Sequence, residues 1–473
     1  MVFHLIRKEL LEQMLSFRFI VLSAMGALAI WISLYSGYNH YRERVDDYRM
    51  AQAATRDRIE EIDDAENWSE FVYVGHLEHK PPVPTSIFVR GLEPFLGRSI
   101  TNATTIRRLN RSPAEITPLF GVFSPLDLGL IVQIILSLFA LLFTYDAVCG
   151  EKEAGSLRLV ASFPISRHHL FLSKFLGALL PLLIAFGMPL LLGVAVLLLI
   201  PDVRFTDLEL SRIGLIFIAC GIYVSVFTCV GLLSSCLTQK ASTSFVLLLG
   251  FWVTTVVVMP RISLIIADSF RTAPSVYELE AEKEAVSKSN GERWREVRAR
   301  WIKEHPQWSK TPEGREAQRL FWRKTRQEVW WEPNLSQHAR LDESFRNRYD
   351  ARLNLAVIIA RLSLPFAFNN ATVRLAGTGL NRQRQFLTTF HRYYRQWYQW
   401  FIDSVDDAQL RRINSVKYGE YKWDISDIPR LVYKETWPQE DVHTALIDIG
   451  VMIFWGLIFF LGAYVALLHY DFR

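Results

Sequence analysis

Apolar residues in this chain gather into six blocks of nearly uncharged sequence, each close to the ~20 residues an α-helix needs to cross a hydrocarbon layer. The blocks run from about residue 20 to 38, 126 to 143, 175 to 200, 213 to 237, 242 to 259 and 445 to 468. The third carries Pro181 and Pro189, which a helix bundle tolerates because neighbouring groups satisfy the released carbonyls. Ahead of the first block, Phe3, Ile6, Leu10, Met14 and Phe17 recur at helical spacing, with Arg7, Lys8, Glu9 and Gln13 on other faces. That pattern predicts an amphipathic helix lying in the membrane interface. Two long polar segments separate the blocks. The first opens with a charged helical stretch, 41–64, and continues into the Pro-rich run Lys80 to Thr85; the second is helix-forming and charge-rich.

The pattern therefore predicts an all-α polytopic membrane protein with six transmembrane helices, an N-terminal interfacial helix and mainly helical extracytoplasmic domains. The expected divisions are 1–38 (interfacial helix and first span), 39–124 (extracytoplasmic), 125–267 (second to fifth spans, with a cytoplasmic element at 150–174), 268–443 (large extracytoplasmic domain) and 444–473 (sixth span and tail).

Composition agrees. The chain has 473 residues, of which 50% are hydrophobic and 21% charged, which excludes a disordered, collagen-like or disulfide-scaffold protein. The net charge of +5 comes with no nucleic-acid recognition motif, and contact with anionic lipid accounts for it. The four cysteines, Cys149, Cys220, Cys229 and Cys236, lie in or beside apolar blocks with no CxxC spacing, so no exported disulfide is expected. The run after Arg18 is too long for a cleavable signal and reads as a retained span.

Short connecting segments set the orientation by their basic residues. Arg7, Lys8, Lys152, Arg158, Arg167, Lys174, Lys240 and Arg473 share one side, whereas the opposite short loop, 201–211, has Arg204 against Asp202, Asp207 and Glu209. Both termini are expected in the cytoplasm and the two long segments outside it.

The stretch from Tyr145 to Gly177 holds the candidate chemistry. Asp146 ends a membrane helix. Glu151 and Glu153 open a short helix whose positive end they complement. Gly155 permits a tight turn, and Leu157, Leu159 and Val160 make an apolar knob. Pro164 stops the turn, Ser166 is placed to cap the next helix, and Lys174 enters the membrane edge. Such an element, wedged between two spans, could carry force from a docked cytoplasmic protein. An ordinary polar connection would have the same spacing.

Asp146, Glu151, Glu153, Gly155, Ser156, Leu157, Pro164, Ser166, Arg167 and Lys174, with Lys152 among them, resemble the coupling-helix signature of ABC-2 type permeases. The opening His4 to Leu10, with Arg7, Lys8 and Glu9, is similar to that family's interfacial helix. The stretches Pro260 to Asp268, Arg361 to Phe366, Leu375 to Phe386 and Tyr470 to Arg473 look like a bacterial branch with a large external insertion between the fifth and sixth spans. Gly379 stands where that branch would have an Asp. The resemblance implies a permease of an ATP-driven exporter that is not itself an enzyme. It implies ABC ATPase subunits, two in number, that bind ATP and Mg, and a second permease copy or paralogue. No G-x-x-x-x-G-K-[ST] loop occurs, so no nucleotide or other cofactor is expected in this chain.

Other signals are weaker. His76 and His79 flank Glu78, but no third ligand at credible spacing follows, so no metal site is expected. Phe390, Tyr394, Trp397 and Phe401 form a helical stripe that suits either a stacking surface, an interfacial anchor or core packing. Four Asn-x-Ser/Thr triplets, at Asn67, Asn102, Asn334 and Asn370, read as coincidence in a bacterial protein. Arg261 and Asp268 could pair near the outer face. No nucleophile–base constellation supports a hydrolase. The competing reading is a membrane-anchored scaffold whose polar domains bind an extracytoplasmic partner.

Overall fold

The computed structural model describes residues 2–60, 75–102, 126–157, 166–259, 275–307, 311–404, 428–433 and 439–469. Pro164, Arg158, Leu159, Val160, Arg261, Asp268, Asn67 and the 470–473 tail lie outside them. Among the described residues the chain is helical apart from one two-stranded antiparallel sheet, β1 (His76–His79) with β2 (Ser99–Asn102), in which His76 faces Asn102. Six helices are long and apolar enough to cross a membrane.

Helix α1 (Val2–Met14) packs along the third span, and α2 (Phe17–Glu60) follows after a break at Ser16. The Ser16 hydroxyl accepts from the Phe19 amide at 3.1 Å and so caps the new helix. The sequence pattern predicts a span to residue 38 followed by a separate charged helix. Instead α2 runs unbroken for 44 residues, or ~66 Å at 1.5 Å per residue, because no proline interrupts it. Gly37 permits a close approach of α2 to the segment at Ile87, since a Cβ would overlap the backbone carbonyl of Ile87. The G37A substitution is expected to lower stability by roughly 1–3 kcal/mol through overpacking, read as a lower melting temperature in detergent; an unchanged melting temperature would contradict this packing.

The other spans are α3 (Leu128–Glu153), α4 (Arg167–Leu199), α5 (Asp207–Leu237), α6 (Ala241–Val258) and α12 (Gln439–His469). A Thr206–Glu209 capping box starts α5. Helices α3 and α6 each contain a π-helical stretch, Ile131–Leu136 and Val253–Val258. Pro181 and Pro189 sit inside a continuous α4.

Between the fifth and sixth spans, α7 (Val276–Glu304), α8 (Pro312–Arg326) and α9 (Glu332–Ala360) pack on one another. They are followed by α10 (Leu364–Ala376) and α11 (Leu380–Ser404). Of the aromatic stripe of α11, Phe390, Tyr394 and Trp397 are core, buried in one cluster with Phe386, Ile59 of α2 and Ile100 of β2; the Phe401 side chain lies outside the described residues. Helix α10 behaves differently from its neighbours. Leu364, Ala367, Phe368, Ala371, Val373, Leu375 and Ala376 share one apolar core with the spans. Phe368 stacks on Tyr223 of α5 with ring centroids 4.5 Å apart, and the end of α9 leaves Ile358 and Leu362 exposed. The hairpin between α9 and α10 thus packs into the helix bundle.

Candidate functional site

The expected cytoplasmic element is a knot in which nearly every polar side chain ties α3 to another helix. The chain enters it from α3 through Asp146, whose Oδ2 accepts from Arg18 of α2 at 2.8 Å. Arg18 also lies over the Tyr145 ring. The short helical segment Cys149–Glu153 follows. Its first amide groups are satisfied by another helix: Val148 and Cys149 donate to the Ser235 hydroxyl of α5 at 2.9 and 3.1 Å. In return Lys152 donates to the Cys236 and Thr238 carbonyls at 2.6 and 3.1 Å, closing the C-terminal end of α5. Glu153 accepts from the Ala241 amide at 3.2 Å, at the start of α6. Arg167 donates to the Leu468 carbonyl near the end of α12.

Lys174 is the centre of the knot. Its side chain is 3% exposed and lies 2.8 Å from Glu151 and 3.4 Å from Glu9 of α1. Gly177, one turn further, lets α1 come this close, because a Cβ there would overlap the side chain of Glu9. Two carboxylates from two elements therefore share one buried ammonium. Leu157 is buried with Val148, Leu170, Phe171, Leu232 and Leu467. Glu153, Ala154, Gly155 and Ser156 remain exposed, and Gly155 turns the chain there with φ +71° and nothing within 4 Å of a Cβ position. Arg7 and Lys8 of α1 point to solvent.

Ser166 departs from expectation. It occupies the cap position of α4, yet its hydroxyl makes no capping bond and instead contacts His168 at 3.1 Å and His169 at 2.6 Å. The two adjacent imidazoles take up the oxygen that would otherwise receive a backbone amide.

The rod α2 is latched at its other end too. Arg44 pairs with Glu93, both buried. Lys80 donates to Gln383 of α11 at 2.8 Å, and Arg382 donates to the Pro81 carbonyl at 3.1 Å. Burial opposes charge on Glu93, but Arg44, Lys80 and Arg382 outweigh it and hold its pKa down to about 2. Its contribution to stability is present above the ordinary carboxylate range and is lost as pH falls towards 2. Burial pushes Lys80 down to about 8. Arg18 and Arg44 stand about 39 Å apart on one helix, so α2 connects the knot around Lys174 to the segment that carries β1, β2 and α11.

A third set of charges, which the sequence reading passed over, lies in the outer mouth. Asp448 of α12 is wholly buried; its Oδ1 meets Arg361 at 2.8 Å, and its Oδ2 accepts from Asn370 of α10 at 2.6 Å. Nearer the outer edge, Asp441 accepts from Arg374 at 2.9 Å and Asn381 at 2.6 Å. A lone acid inside an apolar block was the available signal, since ionisable groups there are costly and need a partner. His76 bonds to Glu78, Tyr393 and Asn102 around the small sheet. No cluster of three metal-ligating residues occurs among the described residues.

Residues 3–281 match the family described as ABC-2 family transporter protein, and residues 276–423 match a domain of unknown function, DUF3526. A stretch of 74 residues is 42% identical to "Probable ABC transporter permease protein NosY" of Pseudomonas aeruginosa, covering 15% of this chain and 26% of that protein. The protein of the same name from Stutzerimonas stutzeri is 31% identical over 150 residues, 29% of this chain and 50% of its own length. The chain thus spans about a quarter and a half of the lengths of these curated relatives.

Proposed function

Because the chain belongs to the ABC-2 family of transporter proteins, we propose that it is the permease subunit of a bacterial ATP-binding cassette exporter. In this reading two separate ATPase subunits bind ATP and Mg and dock on the knuckle Glu153 to Ser156. A second permease, identical or paralogous, supplies the other half of the pathway. The chain sits in the inner membrane with both termini in the cytoplasm.

The observation that carries the reading is the arrangement of the cytoplasmic knot. A push on the exposed knuckle is passed through the Ser235 and Lys152 bonds to α5, through Glu153 to α6, through Arg167 to α12 and through Lys174 to α1 and α4. Asp146 and Arg18 pass it to α2. An ordinary loop would need none of these ties. Glu151 faces inwards in this scheme and serves transmission, whereas Glu153, Gly155 and Ser156 offer the contact.

The test is ATPase turnover of the complex that the tagged full chain brings down from its own membranes. The S156R substitution, at an exposed position whose hydroxyl makes one long bond, 3.4 Å to the Glu151 carbonyl, is expected to cut turnover tenfold or more with the melting temperature unchanged. Unchanged turnover would overturn the docking site. A complex purified with extracytoplasmic partners and no ATPase would favour the scaffold reading.

A further inference from the structure

One polar side chain in the outer mouth is left open at a depth where lipid cannot satisfy it. Helix α10 runs antiparallel to α5, and two contacts fix its depth. Gly377 lies against Arg212, in the second turn of α5. Phe368 stacks on Tyr223, eleven residues further into the same span. The two paths agree: nine residues of α10 rise about 14 Å and eleven of α5 about 16 Å. Phe368 therefore lies inside the hydrocarbon region, and the bond from Asn370 to Asp448, the fourth residue of the sixth apolar block, keeps this turn of α10 in one half of it.

Asn369 is the next residue, and it is exposed. Its backbone carbonyl accepts from Thr372, but its carboxamide meets no hydrogen-bond partner among the described residues. The neighbouring amide, Asn370, is held between Asp448 and Arg374. An unpaired amide turned towards lipid costs several kcal/mol. The sequence around it, Leu-Pro-Phe-Ala-Phe before and Ala-Thr-Val after, is otherwise suited to burial.

We propose that Asn369 faces water within the hydrocarbon region, on the wall of the passage, and is a contact for cargo bearing hydrogen-bonding groups. The carboxamide supplies one acceptor and two donor hydrogens there, so it favours a polar or amphipathic cargo over a hydrocarbon. Calling the space a passage rests on the permease reading; the presence of water does not.

The experiment uses the full chain in native membranes and a membrane-impermeant maleimide. All four native cysteines are buried, so the unmodified chain sets the background. N369C is compared with Y277C, whose parent residue is 88% exposed, and with L362C, whose parent is an apolar side chain 65% exposed at the hairpin tip, which this account sets against lipid. Labelling of N369C at a rate within tenfold of Y277C, with L362C at background, is the expected result. N369C at background would overturn the proposal, as would equal labelling of N369C and L362C, which would place the hairpin outside the hydrocarbon. An unchanged melting temperature for N369C shows that the fold is retained; if N369C does not fold, F366C, three residues earlier on the same helix face and partly exposed, is read in its place with the same two outcomes. If N369C labels equally with and without the ATPase subunits, water access stands while ATP coupling is tested separately by turnover.

Discussion

The D448A substitution is expected to have the largest effect of any single change in the membrane part. It leaves the Arg361 guanidinium without its carboxylate at a place where Asp448 itself is wholly buried, and it removes the acceptor of Asn370. Breaking one side of such a pair costs roughly 3–5 kcal/mol, whereas replacing both partners by apolar residues is often neutral. The D448L/R361L double variant is therefore expected to recover most of the melting temperature lost by D448A. It should do so without restoring coupled turnover, because the hairpin is then held by packing alone. A double variant no more stable than D448A would show that the pair is not what holds α10 in the mouth.

The second large effect is expected for K174M. Removing the ammonium leaves Glu9 and Glu151 facing each other with no shared cation. Those carboxylates keep 16% and 23% of their side-chain exposure, so water relieves part of the repulsion and the loss is about 2–3 kcal/mol, below the range for a fully buried pair. The loss is local. Amide hydrogens of α1, residues 2–14, are expected to exchange at least tenfold faster while those of α5 keep their protection. The K174M/E9Q/E151Q variant should regain protection in α1. Exchange rising equally in α1 and α5 would mean that Lys174 supports the whole bundle and not the attachment of α1.

The six spans were legible because length and hydropathy suffice for a helix that must satisfy its own backbone in lipid. The residue types of the cytoplasmic element were legible too, but their partners were not. Arg18 and Asp146 are 128 positions apart, and Lys174 and Glu9 are 165 apart. No local pattern carries such pairings, so acids that suggest an outward docking face, Glu151 above all, turn out to hold the chain's own helices. Ser166 illustrates the same limit: its position is that of a cap, and two neighbouring histidines decide where its hydroxyl goes. Helix α10 escaped because its 13 residues are too few for a span and carry Asn369, Asn370 and Arg374. Only packing against α5 and α12 reveals that it enters the core. The continuity of α2 escaped for the opposite reason, since the change from apolar to charged sequence near residue 39 marks the membrane surface and not a break in the helix.

Site-specific photo-cross-linking from position 154, in the exposed knuckle, tests the central claim most directly. With the complex in sealed membrane vesicles, the account predicts an adduct between this chain and an ATPase subunit, with a yield that changes between ATP-bound and nucleotide-free conditions. Adducts to lipid alone, or labelling of the same position by an impermeant reagent from the periplasmic side, would contradict it.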